Sequence, residues 1–70
     1  MDTATVGRIV RDVILNRRLP CELVDVQEEA RTWRVTIDSK HEGLISFDVT
    51  KGIVAVHVRE AVQAQLESLK

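Results

Sequence analysis

The side chains that could support catalysis in this chain include one thiol, two imidazoles and eleven carboxylates. Nucleophilic catalysis by a thiol would need a base beside it, and Cys21 with His41 or His57 is the only thiol–imidazole combination in the sequence. Their spacing does not place them together, and a lone cysteine that opens a strand is usually a small buried hydrophobe. The sequence therefore predicts no catalytic residues and no enzymatic activity.

Metal binding has one candidate cluster. Asp38, His41 and Glu42 are close in sequence, and their side chains could meet around a loop. A closed zinc site needs paired cysteine and histidine ligands at short spacing, which this chain lacks. Charged residues at a loop tip are more often simply solvated. The three glycines are dispersed, so no glycine-rich phosphate loop is present, and we predict neither a metal site nor a cofactor.

The bulk composition is that of a small soluble domain. Ten basic and eleven acidic residues among 70 give a net charge of −1, which does not favour nucleic acid or an anionic membrane as the default partner. No segment approaches the ~20 apolar residues of a membrane span, and the first residues lack a signal-peptide core. A single cysteine fits a reducing compartment. We expect one α+β domain over residues 1–70, located in the cytoplasm.

A first helix is predicted from Thr5 to Asn16. The apolar residues that recur at helical spacing are Val6, Ile9, Val10, Val13 and Ile14. Thr3 or Thr5 can supply a capping oxygen at its start, and Pro20 marks its end.

Alternating side chains predict strands after this helix. Residues 21–27 alternate loosely, and their apolar side chains divide between both faces. Residues 32–38 and 45–49 alternate cleanly and should pair antiparallel around the loop of residues 39–43. The inward-facing residues of these two strands are Trp33, Val35, Ile37, Ile45, Phe47 and Val49.

Residues 53–58 decide the architecture, because they fit either a strand or a helix. Gly52 can adopt the positive φ of a tight hairpin, and four of the six residues that follow it are β-branched. From Arg59 onward the chain is rich in helix formers. We therefore predict the order α-β-β-β-β-α, an antiparallel four-stranded meander with two helices on one face.

The alternative is a second helix that begins near Lys51, which gives the order α-β-β-β-α with a long C-terminal helix. This order resembles the layout of the double-stranded RNA-binding fold over most of the chain. That family carries a lysine cluster at the start of its last helix and a Gly-Pro-x-His segment between its first strands. Here the corresponding positions hold only Lys51 and the acidic pair Glu28-Glu29, so the resemblance covers layout alone.

In the four-stranded arrangement, the open face of the sheet would carry Arg34 with Ile53, Ala55 and His57. Apolar residues gathered on an exposed face tend to mark an interface, and His57 would make it sensitive to pH. The sequence thus predicts a small non-catalytic binding or regulatory module that acts through protein–protein interaction. Its small core makes self-association, as a homodimer, a natural expectation.

A second functional hypothesis is weak nucleic-acid binding. Arg8, Arg11 and Arg18 fall on one side of the first helix, opposite its apolar stripe, and Arg17 extends this basic face. Four arginines could contact phosphates.

Overall fold

A computed structural model describes residues 2–52 and 54–68 of the chain. Two helices and three strands follow one another: α1 (Thr3–Arg17), β1 (Cys21–Glu28), β2 (Thr32–Ser39), β3 (Gly43–Thr50) and α2 (Ala55–Glu67). The strands form one antiparallel sheet of order β1-β2-β3. The α+β class is confirmed, and the α-β-β-β-α alternative fits. No helix in the described part of the chain is long and apolar enough to cross a membrane.

Helix α1 confirms the first predicted helix and begins two residues earlier than expected. Asp2 caps it instead of a threonine: its carboxylate accepts a hydrogen bond from the backbone N–H of Thr5 at 2.9 Å. A charged carboxylate suits the positive end of a helix, and this hydrogen bond lowers the pKa of Asp2. At the other end, Arg18 takes the left-handed conformation with φ 51° and turns the chain toward β1.

Strand β1 contains a bulge at Val24, which accounts for its loose alternation. The register with β2 shifts between Leu23 and Asp25, so Val24 has no partner residue in β2. One extra residue reverses the face onto which the following side chains project. Leu23 and Val26 therefore both pack against the core, although three positions separate them.

The predicted pairing of the two clean strands is confirmed. Trp33 lies opposite Val49, and Ile37 lies opposite Ile45. Both helices cover the apolar face of the sheet and contribute to one core. The buried residues of this core are Val6, Ile9, Val10, Val13, Leu19, Trp33, Val35, Ile37, Val49, Val58, Val62 and Leu66.

The predicted fourth strand is wrong. Gly52 does adopt the expected positive φ, at 85°, but the chain then enters α2 at Ala55. The buried residues of α2 recur every four positions: Val58, Val62 and Leu66. Docking this stripe beside α1 places three large side chains in the core, and such tertiary burial outweighs the β-propensity of a short valine-rich segment.

Candidate interaction surface

The predicted interaction face of Arg34, Ile53, Ala55 and His57 is not assembled on the sheet. Arg34 lies on the open face of β2, whereas Ala55 and His57 are exposed in the first turn of α2. Ile53 lies outside the described residues. The helix that begins at Ala55 packs on the opposite face of the sheet, so the expected placement of these residues on one face is wrong.

The open face of the sheet is polar. The Arg34 guanidinium lies 3.6 Å from a carboxylate oxygen of Glu29 and 3.5 Å from one of Asp48. The hydroxyl groups of Thr36 and Ser46, which are cross-strand neighbours, are 3.0 Å apart and hydrogen-bonded. Several polar groups of this face thus already have partners, which makes it a less suitable docking surface than the sequence suggested.

The four arginines of the predicted basic face divide into two groups. Arg17 lies four residues after the buried Val13 and therefore on the same side of α1. Its Nη1 lies 3.1 Å from Glu67 Oε1 in α2. Arg8, Arg11 and Arg18 are exposed and form no ion pair within the parts of the chain that the structure describes. Three of the four arginines therefore remain together on a free surface.

These three arginines border a groove between α1 and the edge strand β1. Two open depressions, of about 580 and 570 Å³, have Arg11, Leu15 and Leu23 in common. Because they share these residues, the two depressions lie next to each other along α1. We call them together the α1–β1 groove; its walls are α1 from Thr3 to its C-cap Arg18, and β1 from Cys21 to Val26.

The α1–β1 groove contains exposed apolar side chains on both walls. Leu15 is 73% exposed on the helix wall and Val24 is 54% exposed on the strand wall, while Leu23 is half-buried. Isolated exposed apolar residues are ordinary, but two on facing walls of one depression form a patch. The sequence carried a signal for Val24, since adjacent Leu23 and Val24 cannot both face the core in a regular strand.

The two walls of the groove carry opposite charges. The α1 wall carries the basic side chains of Arg8, Arg11 and Arg18. The β1 wall carries the acidic side chains of Glu22 and Asp25. All five are exposed, and no ion pair joins the walls among the described residues. Asp12 also lines the helix wall, but its carboxylate lies 3.5 Å from Arg59 of α2.

The thiol and the two imidazoles considered for catalysis lie in three different elements, and the metal-ligand candidates Asp38 and Glu42 are exposed in β2 and in the β2–β3 turn. Cys21 is half-buried at the start of β1, His41 lies in the β2–β3 turn and His57 lies in α2. Burial raises the pKa of the Cys21 thiol, which keeps it protonated and weakly nucleophilic at neutral pH. Within residues 2–52 and 54–68, no group of three His, Cys, Asp or Glu side chains could hold a metal ion.

No protein-family model matches this chain, and no curated protein or solved structure shows significant similarity to it.

Proposed function

We propose that this protein is a small non-catalytic binding module that binds another protein chain through the α1–β1 groove. The observation that carries the proposal is the mixed chemistry of the groove, in which exposed Leu15 and Val24 lie among charged side chains that, in the described part of the chain, form no ion pair across it. An apolar centre with a charged, solvent-accessible rim is the usual anatomy of a protein–protein interface.

The shape of the groove also favours a protein over a small molecule. Small-molecule sites are concave and enclose most of their ligand, whereas this groove is an open trough along α1. The helix wall from Arg8 to Arg18 extends about 15 Å at 1.5 Å per residue. Arginines along such a wall can form paired hydrogen bonds with carboxylates of a partner.

Site-specific photo-crosslinking in cells that produce the protein tests this proposal. With p-benzoylphenylalanine in place of Leu15 or Val24, we expect a light-dependent adduct with a protein of defined mass. The same adduct should be lost when Arg11→Glu is added, because that substitution reverses a charge on the rim of the groove.

Leu44 provides the matched control for the crosslinking experiment, since it is 71% exposed on the opposite edge strand β3. A probe at Leu44 should not yield the adduct obtained from the groove. Absence of any protein adduct from both groove positions would contradict the proposed function.

Nucleic-acid binding is a second candidate function, favoured by the cluster of exposed Arg8, Arg11 and Arg18. Acidic Glu22 and Asp25 in the facing wall would repel phosphates, which weakens this candidate. Arg17 is engaged with Glu67 and would contribute less than the sequence suggested.

The two positions at which the chain departs from the double-stranded RNA-binding family contact each other. Lys51 Nζ lies 2.8 Å from Glu28 Oε2 and 5.4 Å from the ring centroid of Trp33. The lysine at the expected phosphate-binding position is therefore held by a carboxylate and an aromatic ring of its own chain. This arrangement supports protein binding over duplex RNA binding.

Fluorescence anisotropy with a short RNA duplex tests the second candidate. It predicts binding at ~50 mM salt that weakens with each of Arg8→Ala, Arg11→Ala and Arg18→Ala, with a slope of log K against log salt of roughly −2 to −3. Arg17→Ala is the control and should change affinity least. Undetectable binding at ~50 mM salt would remove nucleic acid as a partner.

A further inference from the structure

We infer that the chain bound in the α1–β1 groove is a second copy of this protein, related to the first by a two-fold axis parallel to the groove. This inference rests on the proposed function, because it identifies the partner of the same surface. It follows from how the charges and the apolar residues of the groove are distributed between its two walls.

A two-fold axis parallel to the groove exchanges the walls of the two copies. The α1 wall of each copy then lies over the β1 wall of the other, and every contact occurs twice. Basic side chains of each copy therefore meet acidic side chains of its partner. An axis perpendicular to the groove would instead place arginines against arginines, so electrostatic repulsion selects the parallel orientation.

The opposite charges also match in their position along the groove. Arg18 and Glu22 line the depression at the C-terminal end of α1, whereas Arg8 and Asp25 line the other depression; Arg11 lines both. A parallel axis exchanges the walls but keeps each residue at its own level. Arg18 of one copy thus approaches Glu22 of the other, and Arg8 approaches Asp25.

The same exchange of walls also brings the exposed apolar residues of the two copies together. Leu15 lies in the helix wall and Val24 in the strand wall of one depression. Exchange of the walls brings Leu15 of each copy against Val24 of the other, which removes both from water. Within a single copy these two side chains stay exposed, and no ion pair between described residues spans the groove around them.

The bulge at Val24 favours this contact over pairing of β1 with another strand. A regular edge strand presents a continuous row of backbone groups to an incoming strand, and a bulge interrupts that row. β1 is an edge strand whose register shifts between Leu23 and Asp25. The second copy is therefore held mainly by side chains, and the complex should be a weak dimer in rapid exchange.

Reciprocal charge reversal tests the dimer. We expect sedimentation equilibrium of the wild type up to about 1 mM to show a monomer–dimer equilibrium, as weak interfaces of this class do. Arg18→Glu alone and Glu22→Arg alone should each weaken self-association at least about tenfold, because like charges then meet twice. An equimolar mixture of the two variants should dimerise again, since every contact in the mixed dimer joins opposite charges.

Two controls separate the groove from general effects of charge and hydrophobicity. Arg31→Glu alters an exposed arginine in the β1–β2 turn outside the groove, which forms no ion pair with any residue that the structure describes. It should change the dimer Kd by less than about twofold. Leu15→Asp should abolish dimerisation, whereas Leu44→Asp should not. Circular dichroism of each variant verifies that these exposed substitutions leave the fold intact.

Each outcome distinguishes failure of the dimer from failure of the proposed function. A wild type that is monomeric throughout the concentration range, or a mixture of variants that fails to reassociate, would overturn the inferred dimer. Crosslinked adducts at twice the mass of the chain would support both the inferred dimer and the proposed binding function. Adducts with a different protein would preserve the binding function and overturn the second copy as its partner. Tight RNA binding by a monomeric wild type would overturn the dimer as well.

Discussion

Val58→Asp is expected to unfold the domain, whereas Val56→Asp should leave it folded. Val58 has no exposed surface, and Val56 is 56% exposed. Two residues are about 200° apart around a helix, so these neighbours project in opposite directions. An unpaired carboxylate buried at Val58 would cost several kcal/mol, which is comparable to the total stability of about 3–10 kcal/mol for a domain of this length.

Urea unfolding measures this difference, with circular dichroism and the fluorescence of Trp33, the only tryptophan, as two probes. Val54→Asp is a further control because Val54 is exposed and lies just before α2. Equal loss of stability for substitutions at 54, 56 and 58 would indicate that the three side chains share one face. That result would match the predicted strand and contradict the helix.

Leu66→Ala is expected to lower the free energy of unfolding by about 2–5 kcal/mol. Leu66 is a fully buried side chain near the end of α2 and packs into the common core. Its truncation removes apolar contacts and leaves a cavity that the neighbouring helices fill only in part. The urea midpoint should fall accordingly, with little change in the slope of the transition.

Leu44→Ala is the matched control for Leu66→Ala, because it removes the same atoms from an exposed position on β3. It should change the free energy of unfolding by less than about 0.5 kcal/mol. Similar effects of the two substitutions would mean that Leu66 is not part of the core, contrary to its position in the structure.

Local patterns were sufficient for α1 and for the β2–β3 hairpin. In α1 the burial of Val6, Val10 and Val13 follows directly from their spacing. In β2, alternate residues are buried by the helices, so the period of two is visible in the sequence. These elements could be predicted because each buries one face against a large part of the core.

The other two elements depend on information that local patterns do not contain. In β1 the bulge is defined by its register with β2, and the sequence shows only an irregular alternation around Val24. At the start of α2 the helical spacing of the apolar residues favours a helix, whereas the β-branched composition favours a strand. The helix forms because its apolar side can pack beside α1. Burial of Val58 and Val62 in the common core therefore makes this segment a helix and not a strand.

The same limit applies to the α1–β1 groove. The helix wall was predictable, since the wheel of α1 places Arg8, Arg11 and Arg18 around Leu15. The strand wall could not be predicted, because no pattern in the sequence indicates that α1 packs beside β1. Only the three-dimensional contact brings Glu22 and Val24 opposite the arginines.

The contact between α1 and α2 has a kinetic consequence, because it joins opposite ends of the chain. Arg59 and Asp12 are 47 residues apart in sequence, yet their side chains lie 3.5 Å from each other. The three strands, by contrast, pair through short turns, and the entropic cost of closing these loops is low. Docking of α2 is therefore the most non-local step of folding, and the rate of folding should depend on it more than on formation of the sheet.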